Sequence, residues 1–209
     1  EKYGADALRF YLMSSSVVKA EDLRFSEKGV DLVMKKVLLT LRNVVSFYSM
    51  FAAGKTISDQ PNSAHIMDRW ILAYTQNKIQ DVTRAMDDYD LALATALLEQ
   101  FVQELSTWYV RRSRARFKDP ATQPEALATL KYVLDVVIKL LAPFTPFIAE
   151  EIYQVLYPTA KTKGDSVHLS VWPVVNATLV ATQILVDMNQ TRSFVEQILA
   201  LREQKHIKV

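Results

Sequence analysis

Apolar residues recur along most of this chain at steps of three and four, the spacing of one face of an α-helix. The clearest run is Val30, Met34, Val37, Leu41, Val44, Tyr48 and Phe51, an unbroken alternation of four and three. Seven side chains so spaced share one stripe of a helix. Ser26, just upstream, is of a type that accepts hydrogen bonds from the free N–H groups of a first turn. Gly54, Pro61 and Asn62 then mark a loop. The same spacing predicts a helix over 64–86, with Leu72, Ile79, Val82 and Met86 on one face, and a third over 90–117. Leu127, Leu130, Leu134, Val137 and Leu141 form a fourth stripe, which Pro143 stops. Thr145 and Pro146 restart the chain as N-cap and first helical residue of a helix over 147–156, presenting Ile148, Ile152 and Val155. Residues 164–173 read as irregular, with Val167-His168-Leu169 as a short strand, and a last helix covers 179–202.

Several antiparallel helices joined by short loops predict an all-α, up-and-down helical bundle. The stripes are too short and too numerous for a coiled coil. The chain has 209 residues, half of them hydrophobic, which suits one packed domain, with or without an appendage, rather than a disordered segment. Only four glycines agree with the helical reading. There are no cysteines, so disulfides and thiolate chemistry are excluded. His65, His168 and His206 lack metal-ligand spacing and read as surface or partly buried imidazoles. The run 132–147 is broken by Asp135, Lys139 and two prolines, too short and too polar to cross a bilayer, so a soluble cytoplasmic protein with no membrane partner is expected. The chain opens on Glu1-Lys2-Tyr3-Gly4 without methionine and stops at Lys208-Val209, which reads as a segment of a longer polypeptide.

Net charge is +2, so any claim about polyanions rests on local clustering. The cluster is the end of the third predicted helix, where Trp108 and Tyr109 precede Arg111, Arg112, Arg114, Arg116 and Lys118. Cations neutralise phosphate and aromatic rings stack on unpaired bases, so this composition suits single-stranded RNA. On a wheel of about 100° per residue, Leu98, Phe101, Leu105 and Trp108 share one side, and Arg112 and Arg116 continue it. Arg111, Arg114 and Lys118 form a neighbouring stripe. Charges on a core-facing stripe need a counter-anion, which could be an external phosphate or a carboxylate on a facing helix; otherwise their stems must reach water. Trp108 and Tyr109 read either as core aromatics or as a pair with an edge left for stacking. Asp87-Asp88-Tyr89-Asp90 reads as a turn in which Asp90 caps the third helix, rather than as a magnesium site. Glu21-Asp22 and Glu150-Glu151 read as helix-end charges. No glycine-rich phosphate loop, nucleophile elbow or metal motif is present, which leaves a binding module without a catalytic centre.

Tyr3-Gly4-Ala5-Asp6-Ala7-Leu8-Arg9-Phe10-Tyr11-Leu12 resembles the segment just downstream of the signature lysine loop in class I aminoacyl-tRNA synthetases, and Glu21-Asp22-Leu23-Arg24-Phe25-Ser26 resembles its sequel. Residues 105–117 resemble the tryptophan–tyrosine–valine–arginine–arginine helix of the isoleucyl branch. Leu141-Ala142-Pro143-Phe144-Thr145-Pro146-Phe147, Ala149-Glu150-Glu151-Ile152-Tyr153 and Ser166-Val167-His168-Leu169-Ser170 with Trp172-Pro173 are similar to later blocks, in family order. The resemblance implies the helical anticodon-binding domain of an isoleucyl-type synthetase, with the valyl branch nearest to it. It implies a junction from the catalytic domain at 1–25, the bundle at 26–160, and an irregular segment opening a C-terminal extension at 161–209. It further implies isoleucine-accepting tRNA as partner, contacted through Trp108, Arg111, Arg112, Arg114, Arg116 and Lys118. ATP with magnesium would belong to the catalytic domain upstream, and no cofactor to this segment. Catalytic and editing domains of the same polypeptide would be its other partners. Ala115 and Lys118 stand where the family often has arginine and tryptophan, Thr40 and Arg42 where it has proline and tryptophan, and Val171 where it has aspartate. A helical protein-interaction module without RNA is the alternative from another class.

Overall fold

The computed structural model describes residues 2–205, apart from the side chain of Lys161. His206 and the chain ends at Glu1 and Lys208-Val209 lie outside them. Seven helices of ten or more residues, with no strand among the described residues, build the fold. Helix α1 is Gly4–Met13. Helix α2 covers 27–52, with a wide π-helical turn at Met34–Leu39 between Glu27–Val33 and Thr40–Ala52. Helix α3 is Ile66–Asp87. Helix α4 covers 91–113 and has its own π-helical turn at Leu105–Val110. Helices α5 (Gln123–Leu141), α6 (Pro146–Leu156) and α7 (Thr182–Gln204) complete the set.

The short links at 88–90 and 142–145 fold α3 back along α4 and α5 back along α6, and α5 and α7 also pack against α3. Their apolar stripes meet in one core that holds Val37 and Leu41 of α2, Ile71 and Ile79 of α3, Leu98 and Phe101 of α4, and Leu130 and Leu134 of α5. Ala7 and Phe10 of α1 and Ile184 of α7 belong to the same core. Burying side chains of this size stabilises by roughly 1.5–3 kcal/mol each, before the entropy of ordering them. Gly29 permits the closest approach of α1 to α2, since a Cβ there would lie 2.4 Å from the Tyr11 ring. The Tyr11 hydroxyl accepts from the Ser26 N–H.

Both expected caps on α2 and α4 are present: Ser26 Oγ accepts from Gly29 N and Asp90 Oδ1 from Leu93 N at 2.9 Å. Asp87-Asp88-Tyr89-Asp90 is therefore a turn, with Tyr89 in the left-handed region at φ 57°. At α6, Thr145 occupies the N-cap position, but its hydroxyl donates to the Leu141 carbonyl. The cap is instead the Asp6 carboxylate of α1, which accepts from Ile148 N at 2.7 Å and Phe147 N at 3.3 Å. Val167–Leu169 is a 3₁₀ turn, not a strand. No strand is present among the described residues to pair with it, and its donors go elsewhere. The Glu150 carboxylate accepts from Ser166 Oγ and Val167 N, and Ser166 Oγ accepts from His168 N. Burial pushes the Glu150 carboxyl up, but these hydrogen bonds prevail and hold it below the usual carboxylate range. Glu150 and Glu151 thus lie within α6 rather than at its end, and Glu21 and Asp22 lie in the extended link before α2.

Candidate nucleic-acid interface

The cationic end of α4 is shaped by its π-helical turn. A π turn takes in one extra residue, so the inward face moves by about one position. Upstream, Phe101 and Leu105 face the core as the wheel predicts. Beyond the wide turn, the fully buried positions are Tyr109, Ser113 and Phe117, all at steps of four from Leu105. Trp108 and Arg112, assigned to the core stripe by a straight wheel, are displaced to its margin: Trp108 is half-buried and Arg112 exposed. The π turn of α2 faces α4, where the Gln103 side chain donates to the Lys36 carbonyl at 2.5 Å. Thr40 Oγ1 takes the Lys35 carbonyl within the same turn.

Phe117 anchors the segment after α4. Its ring, 0% exposed, stands edge-on to Phe47 at 4.9 Å between centroids and to Tyr109 at 6.5 Å. That burial turns the chain back to the bundle and leaves Arg114 and Lys118 outside it. Arg111, Arg114 and Lys118 are exposed, with no ion pair to any described carboxylate. Arg112 is exposed too, with its guanidinium 4.8 Å from the centre of the Trp108 ring. Four cations therefore face solvent from one end of the bundle.

Arg116 does not join them. Its guanidinium turns inward and grips Asp68 of α3 by two bonds, Nη1–Oδ1 at 2.5 Å and Nη2–Oδ2 at 2.7 Å. Asp68 is wholly buried and the Arg116 side chain is 11% exposed. The Tyr109 hydroxyl also donates to Asp68, at 2.8 Å. Burial pushes the Asp68 carboxyl up, but the hydrogen bonds led by Arg116 prevail and hold it below its ordinary value. Burial and the facing Asp68 charge push the Tyr109 phenol well above its ordinary value. Of the two counter-anions open to Arg116, the internal carboxylate holds it, so it is removed from the phosphate-facing set. Arg42 is likewise paired internally, with Glu151 of α6 at 2.6 Å.

Trp108 serves a second cation that sequence spacing did not disclose. Arg192 of α7 lies with its guanidinium 4.3 Å from the Trp108 ring centre and 5.0 Å from that of Trp70 in α3. It also pairs with Glu104 at 2.5 Å. The signal was present in part. Trp70, Tyr74 and Lys78 climb α3 in steps of four while Gln100, Glu104 and Trp108 climb α4 in steps of four, the register of two antiparallel helices. Lys78 Nζ donates to Gln100 Oε1 at 2.9 Å, and burial pulls its ammonium below the ordinary lysine value. His65 and His168 are both exposed: His65 Nδ1 accepts from Met67 N, and His168 Nε2 lies 3.2 Å from the Pro146 carbonyl. Among the described residues no group of three histidines or carboxylates could hold a metal ion, and no helix is long and apolar enough to cross a membrane.

A family model described as the anticodon-binding domain of tRNA ligase matches residues 68–209. The chain is 42% identical over 220 residues to an isoleucine–tRNA ligase of Chlamydia trachomatis serovar D, covering all of this chain and 21% of that protein. It is 39% identical over 218 residues to the corresponding ligase of Chlamydia pneumoniae, again over the whole chain and 20% of that protein. The chain thus spans about a fifth of the length of these relatives. Among solved structures, the ternary complex of an Agrobacterium radiobacter LeuRS with tRNA and LeuAMS is similar in fold, with TM-score 0.63 at 20% identity over 86% of this chain and 20% of that one.

Proposed function

Because the chain belongs to the family of anticodon-binding domains of tRNA ligases, we infer that its cationic end binds the anticodon stem-loop of an isoleucine-accepting tRNA. The observation that carries this reading is the group of exposed cations Arg111, Arg112, Arg114 and Lys118, which no described carboxylate neutralises. Arg111, Arg114 and Lys118 contact backbone phosphates, which supply affinity and register but no sequence information. Arg116 has no such role here: its partner is Asp68, and it fixes the end of α4 against α3.

In this reading the parent polypeptide attaches isoleucine to its tRNA in the cytoplasm. ATP and magnesium serve a catalytic domain encoded before residue 1. Residues 1–25 link that domain to the bundle of 26–160, and 161–209 open a C-terminal extension. The isoleucyl branch is favoured by the 42% identity to isoleucine–tRNA ligases over the whole chain.

Fluorescence anisotropy with labelled transcripts of isoleucine- and valine-accepting tRNA tests the reading. The isoleucine-accepting transcript binds more tightly, and replacing Arg111 and Arg114 by alanine weakens both. Equal affinity for the two transcripts would remove the branch assignment, and an unaltered affinity in the variant would remove the site.

A further inference from the structure

An alternating series of indoles and guanidiniums runs from the core to the surface at the cationic end. Trp70 is 2% exposed, Arg192 lies 5.0 Å from its ring centre, Trp108 lies 4.3 Å from Arg192, and Arg112 lies 4.8 Å from Trp108. The inner cation is charge-paired through Nη2 with Glu104, both side chains being only 16% exposed, while its buried Nε has no hydrogen-bond partner among the described residues. The outer one is exposed, and no described carboxylate pairs with it. A guanidinium lying near an indole remains a flat cation with a second face and an edge of N–H donors. Such planes stack on splayed-out bases of RNA while their donors reach phosphate or base acceptors. Trp108 itself is poorly placed for that task, because two guanidiniums already lie within 5 Å of its ring centre.

We propose that Arg112, rather than the Trp108 ring, is the platform on which an unpaired base of the bound RNA stacks, and that Arg192 is the positioning residue that holds this platform through Trp108. The inference rests on the RNA-binding reading above and adds what kind of nucleotide the site takes. It also makes the seating of α7, which contributes Arg192, part of the RNA site, although Trp108 and Arg112 belong to α4.

The test compares, in the full chain, a hairpin RNA with an unpaired loop and a blunt duplex of equal phosphate number, each with 2-aminopurine at one position. Arg112→Lys keeps the charge and removes the plane. It lowers hairpin affinity by about five-fold or more, abolishes the change in loop 2-aminopurine emission that binding causes, and changes duplex affinity by less than about two-fold. Arg192→Lys keeps a cation for Glu104 and reproduces the hairpin-selective loss. If Arg192→Lys loses helical circular dichroism, the exposed Arg112→Lys variant still decides the matter. Equal weakening of hairpin and duplex in Arg112→Lys, or an emission change that survives it, overturns the proposal and leaves Arg112 as a point charge. Failure of the underlying RNA reading looks different: the unmodified chain then binds neither RNA with salt-dependent affinity, and the platform falls with it.

Discussion

Arg116 and Asp68 are joined by two parallel hydrogen bonds in a site from which Asp68 is wholly shielded. An arginine in the most cationic stretch of the chain therefore ties the turn after α4 to α3. Removing one member of a buried pair strands the other, at a cost of about 3–5 kcal/mol. Arg116→Ala and Asp68→Ala should each lower the stability measured by urea unfolding by that order. A loss under about 1 kcal/mol in both would mean that the pair is not closed in solution.

The same pair sets an acid limb. The Asp68 carboxyl is held below its ordinary value, so the folded state binds its proton less readily than the unfolded chain does. Its contribution is fully present above the ordinary aspartate range near pH 4, and is lost as pH falls from there through the depressed folded value. The stability difference between the unmodified chain and Asp68→Asn, followed by urea midpoint from pH 7 downward, should be constant to about pH 5 and shrink below pH 4. A difference that grows on acidification would contradict the assignment.

Asp6 caps a helix 140 positions away in sequence, through the N–H groups of Phe147 and Ile148. Asp6→Ala should cost about 1–2 kcal/mol, and hydrogen exchange at amides 147 and 148 should accelerate with it. Thr145→Val should leave those amides protected, because Thr145 bonds the Leu141 carbonyl instead. Acceleration with Thr145→Val but not with Asp6→Ala would reverse the roles.

The pair between Arg42 and Glu151 is a contrasting case. Its side chains are 48% and 55% exposed, so water screens it. Arg42→Ala should change stability by no more than about 1 kcal/mol, and 1 M salt should erase even that. A loss as large as that of Arg116→Ala would show that this pair is drier than its exposure implies.

The stripes of α2, α3, α4 and α5 were legible because apolar periodicity records only which face is buried. Val30 to Phe51 and Leu127 to Leu141 mark faces that the bundle does bury, and Ser26 and Asp90 cap as their types suggest. The π turns were not legible. They insert one position without changing composition, so the wheel carried the core stripe on to Trp108 and Arg112 where the chain buries Tyr109, Ser113 and Phe117. Phe117, an isolated aromatic among cations, was the available hint. Contacts between elements distant in sequence, such as Asp68 with Arg116, Asp6 with α6 and Arg192 with two indoles, leave no local trace. A charge that faces a carboxylate and a charge that faces water look alike in sequence.

The salt dependence of tRNA binding tests most directly whether this end of the bundle is an RNA surface. Each phosphate contact removed lowers the slope of log K against log salt concentration by about one. Replacing Arg111, Arg114 and Lys118 together by alanine should lower the slope by roughly three, with helical content unchanged. A slope that is the same in the unmodified chain and in the triple variant would contradict the account.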